Sequence, residues 1–288
     1  MPPPGEASFY RAHGVADALS ALHERGERGE AIAGGTWVMR APLRGIPQDR
    51  AYVSIADIEE LRQVSLSETE VVIGAGVSHS QLAHALASNP PCHGLAYAAG
   101  HSANPAIRNV ATVGGNLCAA GFAAADLLPA LMSLGAQVDL EGRAGADRIS
   151  LERFVEIRDT LQPGHLICKI IVPLDRRSAQ RSAHVRLPLR RAGDYPVAIV
   201  SVAVSLSPGG VVEHACVVVG SVEPIPRRWP AMEAALTGRL LDSKLAIASA
   251  EAAADEFVGR DGVEAPGWYR VKVLPTLMGR VIEQLTRQ

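Results

Sequence analysis

Residues 15–26, VADALSALHERG, carry apolar side chains at three- and four-residue spacing and end on a glycine. That spacing predicts an amphipathic helix closed at Gly26. The runs EAIAGG, YVSIADI and VVIGAG predict strands, the first and last running into glycine turns. SHSQLAHALAS predicts a helix capped by Ser78 or Ser80. The opening stretch of about 60 residues thus alternates helix and strand, as α/β chains do. AADLLPALMSLGAQVDL predicts a helix with Asp126 near its start, a stop at Gly135 and then a strand. A carboxylate at that place suits the helix dipole. HLICKIIVP predicts a strand closed by Pro173. The polar, basic segment LDRRSAQRSAHVR follows and marks a domain boundary. Beyond it YPVAIVSVAVSL, the turn SPGG and VVEHACVVVGSV predict a hairpin. The first arm suits a helix equally, because small residues blur the period. RRWPAMEAALTGR, SKLAIASAEAAADEF and YRVKVLPTLMGRVIEQLTRQ predict helices. The reading divides the chain at 1–55, 56–175 and 176–288.

Composition narrows the function. The chain has 288 residues, 48% hydrophobic and 20% charged, with a net charge of −2. It has ample material for a core and no basic excess of the kind a nucleic-acid footprint needs. The pairs Arg176–Arg177 and Arg190–Arg191 read as solvated faces. No run approaches the roughly 20 apolar residues of a membrane span. The N-terminus lacks the basic and apolar regions of a secretory signal, so a cytoplasmic location is expected. Cys92, Cys118, Cys168 and Cys216 are far apart and form no C-x-x-C. They predict buried thiols rather than disulfides, zinc or an iron–sulfur site.

Two glycine pairs sit in similar settings. AIAGGTW places Gly34–Gly35 after an apolar strand, and ATVGGNL places Gly114–Gly115 after another. Thr36 flanks the first; Thr112 and Asn116 flank the second. Brought together, two such loops would offer free N–H donors and small polar groups to a diphosphate. Each pair serves equally well as a plain turn. Gly74 and Gly76 follow a strand as G-x-G, but His79 stands where a dinucleotide fingerprint needs its third glycine. His79 and His84 are five apart and share no helical face for a metal. His101 could face the pocket of the second glycine loop. Trp37 reads mainly as core. No metal set and no catalytic acid or base is nominated.

AGGTW, IRNVATVGGNLCAAGFAAADLLPALMSLGA, RRAGDYPVAIVSVAVSL, VVVGSVEPIPRRWPAMEAALTG and YRVKVLPTLMGRVI occur in that order. Together they resemble the FAD-binding medium subunit of the molybdenum hydroxylases, the xanthine dehydrogenase and carbon monoxide dehydrogenase family. The resemblance covers nearly the whole chain. It implies an α+β fold: a vanillyl-alcohol-oxidase (PCMH)-type FAD-binding domain of two α/β subdomains, then a C-terminal domain with an antiparallel sheet and helices. It implies that Ala33, Gly34, Gly35, Thr36 and Trp37 wrap one side of the FAD diphosphate, and Thr112, Val113, Gly114, Gly115 and Asn116 the other. Asp126 would lie near ribityl or ribose hydroxyls, and Ile167 beside the flavin or the adenine.

The sequence departs from the family in places. CAAGFAAAD replaces a more polar run after the second glycine pair, and Arg190 and Arg191 stand where some relatives carry a lysine. The resemblance implies that a large subunit holds a molybdenum–pterin cofactor and a small one [2Fe-2S] clusters, in a heterotrimer or a dimer of heterotrimers. Electrons would reach the FAD here and leave to an external acceptor. A stand-alone flavin oxidoreductase and a non-enzymatic α/β scaffold are the alternatives.

Overall fold

The computed structural model describes residues 7–46, 49–143, 145–161, 164–175, 179–189 and 195–288. The arginine pairs at 176–177 and 190–191 lie outside them. Three sheets organise the chain.

The first sheet is parallel, in the order β1 (Ser8–Arg11), β3 (Ala51–Ser54), β2 (Gly29–Ile32). Parallel strands need a crossover. Helix α1 (Val15–Arg25) provides it between β1 and β2, burying Val15, Ala18, Ala21 and Leu22. A 3-10 segment, Val38–Arg44, lies between β2 and β3.

The second sheet is antiparallel throughout, in the order β4 (Val64–Leu66), β5 (Glu70–Gly74), β8 (Leu166–Pro173), β6 (Gln137–Gly142), β7 (Gly145–Ser150). Between β5 and β6 the chain winds through α2 (His79–Ala85), α3 (His93–His101), α4 (Pro105–Val110), α5 (Val113–Cys118) and α6 (Leu127–Ser133). Helix α7 (Leu151–Ile157) precedes β8. Strand β8 serves two cores. Leu166 and Cys168 pack with Val53, Ile58 and α1, whereas Ile167, Ile170 and Val172 pack with the helices of the second unit. A register shift at Asp139/Leu140 in the pairing with β6 lets both sets turn inward.

The third sheet runs β12 (Arg227–Arg228), β11 (Val212–Gly220), β10 (Pro196–Leu206), β9 (Ala179–Pro188), all antiparallel. Helices α8 (Pro230–Leu236), α9 (Ser243–Ala253), α10 (Gly267–Lys272) and α11 (Leu274–Thr286) follow. One face packs on these helices through Val200, Val202 and Val217. The other presents Cys216 and Val218 to the core of the second unit. Because β10 is covered on both faces, it shows no alternation, which is why its sequence suits a helix as well as a strand.

One strand lies where the sequence pattern predicts no element, and one expectation changes. The polar segment at the proposed boundary is mostly strand β9. Its buried polar groups find partners: His184 Nδ1 and Ser201 Oγ are 2.8 Å apart across the sheet, and Ser182 Oγ donates to the Pro91 carbonyl at 2.6 Å. The second glycine pair does not follow a strand. Asn104 caps α4 by accepting from the Ile107 N–H, and Pro105 starts that helix. Thr112 caps α5, placing Gly114–Gly115 in its first turn. Caps and proline override the β-branched composition of IRNVATV.

Candidate functional site

The two glycine segments meet. A Cβ built on Gly34 would stand 1.8 Å from the Val110 carbonyl oxygen, two residues before the Thr112 cap. Only glycine allows that approach. Gly35 sits at φ +67, and its carbonyl accepts from the Met39 N–H at 2.9 Å, turning the chain into the 3-10 segment. A cleft of about 1300 Å³ opens between the segments. It exceeds the ~300–1,000 Å³ of most small-molecule sites, as an elongated dinucleotide requires.

Ala33, Gly34, Gly35, Thr36, Trp37, Thr112, Gly115, Asn116, Asp126 and Ile167 all line this cleft. Val113 and Gly114 are buried behind it. The Val113 N–H donates to Val77 O at 2.9 Å and the Gly114 N–H to Ala75 O at 2.8 Å, knitting α5 to the segment after β5.

The segments therefore contribute differently. No protein acceptor takes the N–H groups of Gly34, Gly35 or Thr36 among the described residues. Three successive free donors form an anion cradle. In the second segment Gly115 N–H donates to Thr112 Oγ1 at 3.1 Å and Asn116 N–H to Thr112 O at 2.9 Å. Its offer is the bare surface of Gly115 and the Asn116 amide, whose buried Oδ1 has no partner among the described residues. Arg40, Arg50, Arg158 and Arg186 line the cleft against Glu30, Asp126 and Glu264. Free amides, bare glycine surface and cations fit a dinucleotide diphosphate.

Asp126 sits at the start of α6 and makes no capping bond there. Its Oδ1 accepts from Arg186 Nε on β9 at 2.8 Å, with His184 Nε2 at 3.7 Å. Arg186 thus brings a cation into the cleft beside Asp126, a position the sequence did not single out.

At the more exposed end, Trp37 stacks at a tilt on Phe122 with centroids 4.6 Å apart, and Phe122 meets Tyr195 edge-on at 5.0 Å. Arg40 Nη1 donates to the Tyr195 hydroxyl. Trp37 is a cleft wall, half-buried, rather than core.

Among the histidines, His79 lines the cleft. It is 3% exposed, and its Nδ1 lies 2.7 Å from Ser102 Oγ. Burial holds its pKa down at about 4, against an opposing pull from Asp126, so the ring is neutral. His101 instead stacks on Tyr97 at 3.9 Å, off the cleft. Cys118 opens on the cleft, whereas Cys92, Cys168 and Cys216 are buried. Surrounding protein pushes the Cys118 thiol up to about 11, with Arg158 pulling it down. The described residues contain no group of three or more His, Cys, Asp or Glu able to hold a metal, and no helix long and apolar enough to cross a membrane.

Residues 5–175 match the family model of the FAD binding domain in molybdopterin dehydrogenase. Residues 183–285 match the CO dehydrogenase flavoprotein C-terminal domain. The chain is 30% identical to the carbon monoxide dehydrogenase medium chain of Afipia carboxidovorans, over 98% of this chain and 97% of that one. It is 26% identical to the xanthine dehydrogenase FAD-binding subunit of Escherichia coli, over 96% and 95%. A solved structure of reconstituted CO dehydrogenase from Oligotropha carboxidovorans superposes with a TM-score of 0.86 at 25% identity, covering 99% of both chains. Sequence, cleft and superposition agree: the chain belongs to the family of FAD-binding domains of molybdopterin dehydrogenases, with the CO dehydrogenase flavoprotein C-terminal domain behind it.

Proposed function

We propose that the cleft holds FAD with its diphosphate between residues 33–37 and 112–116, in the medium subunit of a molybdenum hydroxylase. The observation that carries this reading is the convergence of the two glycine segments on one cleft, with the N–H groups of Gly34, Gly35 and Thr36 free of acceptors among the described residues. These amides bind the diphosphate, Gly115 gives it room, and Val113 and Gly114 anchor the wall from behind. Asp126, fixed by Arg186, takes sugar hydroxyls, and Ile167 packs against a ring. The functional division is 1–55 and 56–175 around the dinucleotide, with 176–288 closing the cleft through Arg186 and Tyr195.

FAD held there would supply two-electron redox chemistry between partner iron–sulfur clusters and an external acceptor. The residues here bind and orient it and set the electrostatics around it; none acts as acid or base. The redox ring must stay reachable, so it belongs at the exposed end among Trp37, Phe122 and Tyr195. The adenosine half then belongs at the buried end. The curated relatives are medium chains and FAD-binding subunits, matched over almost their whole length. That supports a large subunit with a molybdenum–pterin cofactor and a small one with [2Fe-2S] clusters, in a heterotrimer or a dimer of heterotrimers. All four cysteines are free, which suits the reducing cytoplasm.

Mild affinity purification from the native host, followed by intact-complex mass and metal analysis, tests the assembly. Two co-purifying chains with molybdenum and iron are expected. A lone flavoprotein with its own turnover and no metal would overturn it.

A further inference from the structure

The buried end of the cleft contains a cation that the described residues match only in part. Arg158 follows α7, and its side chain is 6% exposed. Nη1 donates to the Leu117 carbonyl at 2.7 Å. Nε is buried without a hydrogen-bond partner among the described residues. The nearest carboxylate, Asp159, is 3.9 Å away and itself 58% exposed. A guanidinium carries five donors in a rigid fork, and leaving them unmatched in a desolvated place is costly. A structural cation would be expected to find more carbonyls or a close carboxylate, as Arg270 does with Val197 O, Ser221 O and Glu264.

The surroundings suggest what completes the set. Arg158 lines the cleft together with Leu140, Phe154, Leu161 and Ile167, an apolar slot suited to a planar base. Its anchor, Leu117, lies toward the far end of α5 from the Thr112 cap. Leu117 directly follows Asn116, the last residue of the segment that faces the diphosphate, and Arg158 is anchored there, past that wall. The slot thus continues from the wall that faces the phosphates, where a nucleoside joined to them would lie. We infer that Arg158 recognises the adenosine half of the dinucleotide, donating to acceptor atoms of the base, and so makes the site selective for adenine dinucleotides over the mononucleotide FMN. The inference rests on the flavin reading above and deepens it.

The test uses the full-length chain stripped of flavin, titrated with FAD, ADP, FMN and inorganic pyrophosphate. Arg158→Met is expected to weaken FAD and ADP about tenfold or more, the scale of one hydrogen bond to a charged group. FMN and pyrophosphate binding should not change, and Arg158→Lys should recover part of the loss. Unchanged FAD and ADP affinities in Arg158→Met would overturn the inference. So would equal losses for FMN and pyrophosphate, which would make Arg158 a phosphate ligand.

Wild-type protein gives a second readout that survives any folding defect of the variants. Cys118 faces the same cleft beside Arg158. ADP should protect it from N-ethylmaleimide, and FMN should not. Protection by neither, or by both equally, contradicts the inference. Wild type that binds no FAD at all would instead sink the flavin reading itself.

Discussion

Asp126 at the start of α6 and Arg186 on β9 meet at 2.8 Å, their side chains only 6% and 9% exposed. The pair ties the dinucleotide-binding half to the C-terminal sheet at the cleft wall. Removing one member leaves the other charge buried without its counter-charge, at a cost of about 3–5 kcal/mol. Arg186→Met should therefore destabilise the fold by that order in chemical denaturation. Asp126→Asn paired with Arg186→Met should be less damaging than the sum of the single changes. A double-mutant cycle with additive effects would show that the contact carries no coupling.

Gly34 and Gly35 need to be glycine for different reasons. Alanine at 34 drives a methyl into the Val110 carbonyl, so the two walls must part. The cost should be about 3 kcal/mol, with loss of flavin retention. Alanine at 35 is strained by φ +67 but meets Met39 Cγ only at 3.3 Å. Its cost should be about 1–2 kcal/mol, with weakened but detectable binding. Melting temperature and flavin-to-protein ratio distinguish the two variants.

Thr112 shapes the second wall by capping α5 through Gly115 N–H. Thr112→Ala should cost about 1 kcal/mol and lower flavin affinity, while Thr112→Ser keeps the oxygen and most of both. If serine were as damaging as alanine, the cap would not be the reason threonine stands there.

His79 is neutral because it is buried. Its folded pKa, about 4, lies below the ordinary 6.5, so the unfolded chain binds the extra proton first. Its contribution to stability is therefore full above pH 6.5, falls as pH drops toward 4, and is constant below that. The loss across this window should be on the order of 2–3 kcal/mol. Denaturant midpoints at pH 7 and pH 4.5 measure it, and His79→Gln should reduce the difference.

The sequence revealed some parts of this molecule better than others, for physical reasons. Helices α1 and α2 were readable because a glycine stop and the Ser78 cap mark them locally. Strands β2, β5 and β8 were readable as short apolar runs bounded by Gly or Pro. Strand β9 was not, because Ser182 and His184 are buried polar groups whose partners are far away in sequence. Helices α4 and α5 read as a β-branched run because their caps, Asn104 and Thr112, outweigh composition. The cleft itself was announced by its two glycine pairs. Arg158, Arg186 and Phe122 gave no local signal: each acquires its place from segments 41 or more residues distant, seen in Leu117, Asp126 and Trp37.

Titration of the flavin-free, folded chain with FAD, followed by quenching of flavin fluorescence, bears most directly on the central proposal. Saturable quenching at one FAD per chain, lost in Gly34→Ala, is the expected result. A natively folded chain that leaves FAD fluorescence unquenched at every concentration would contradict the proposal that residues 33–37 and 112–116 grip a flavin dinucleotide.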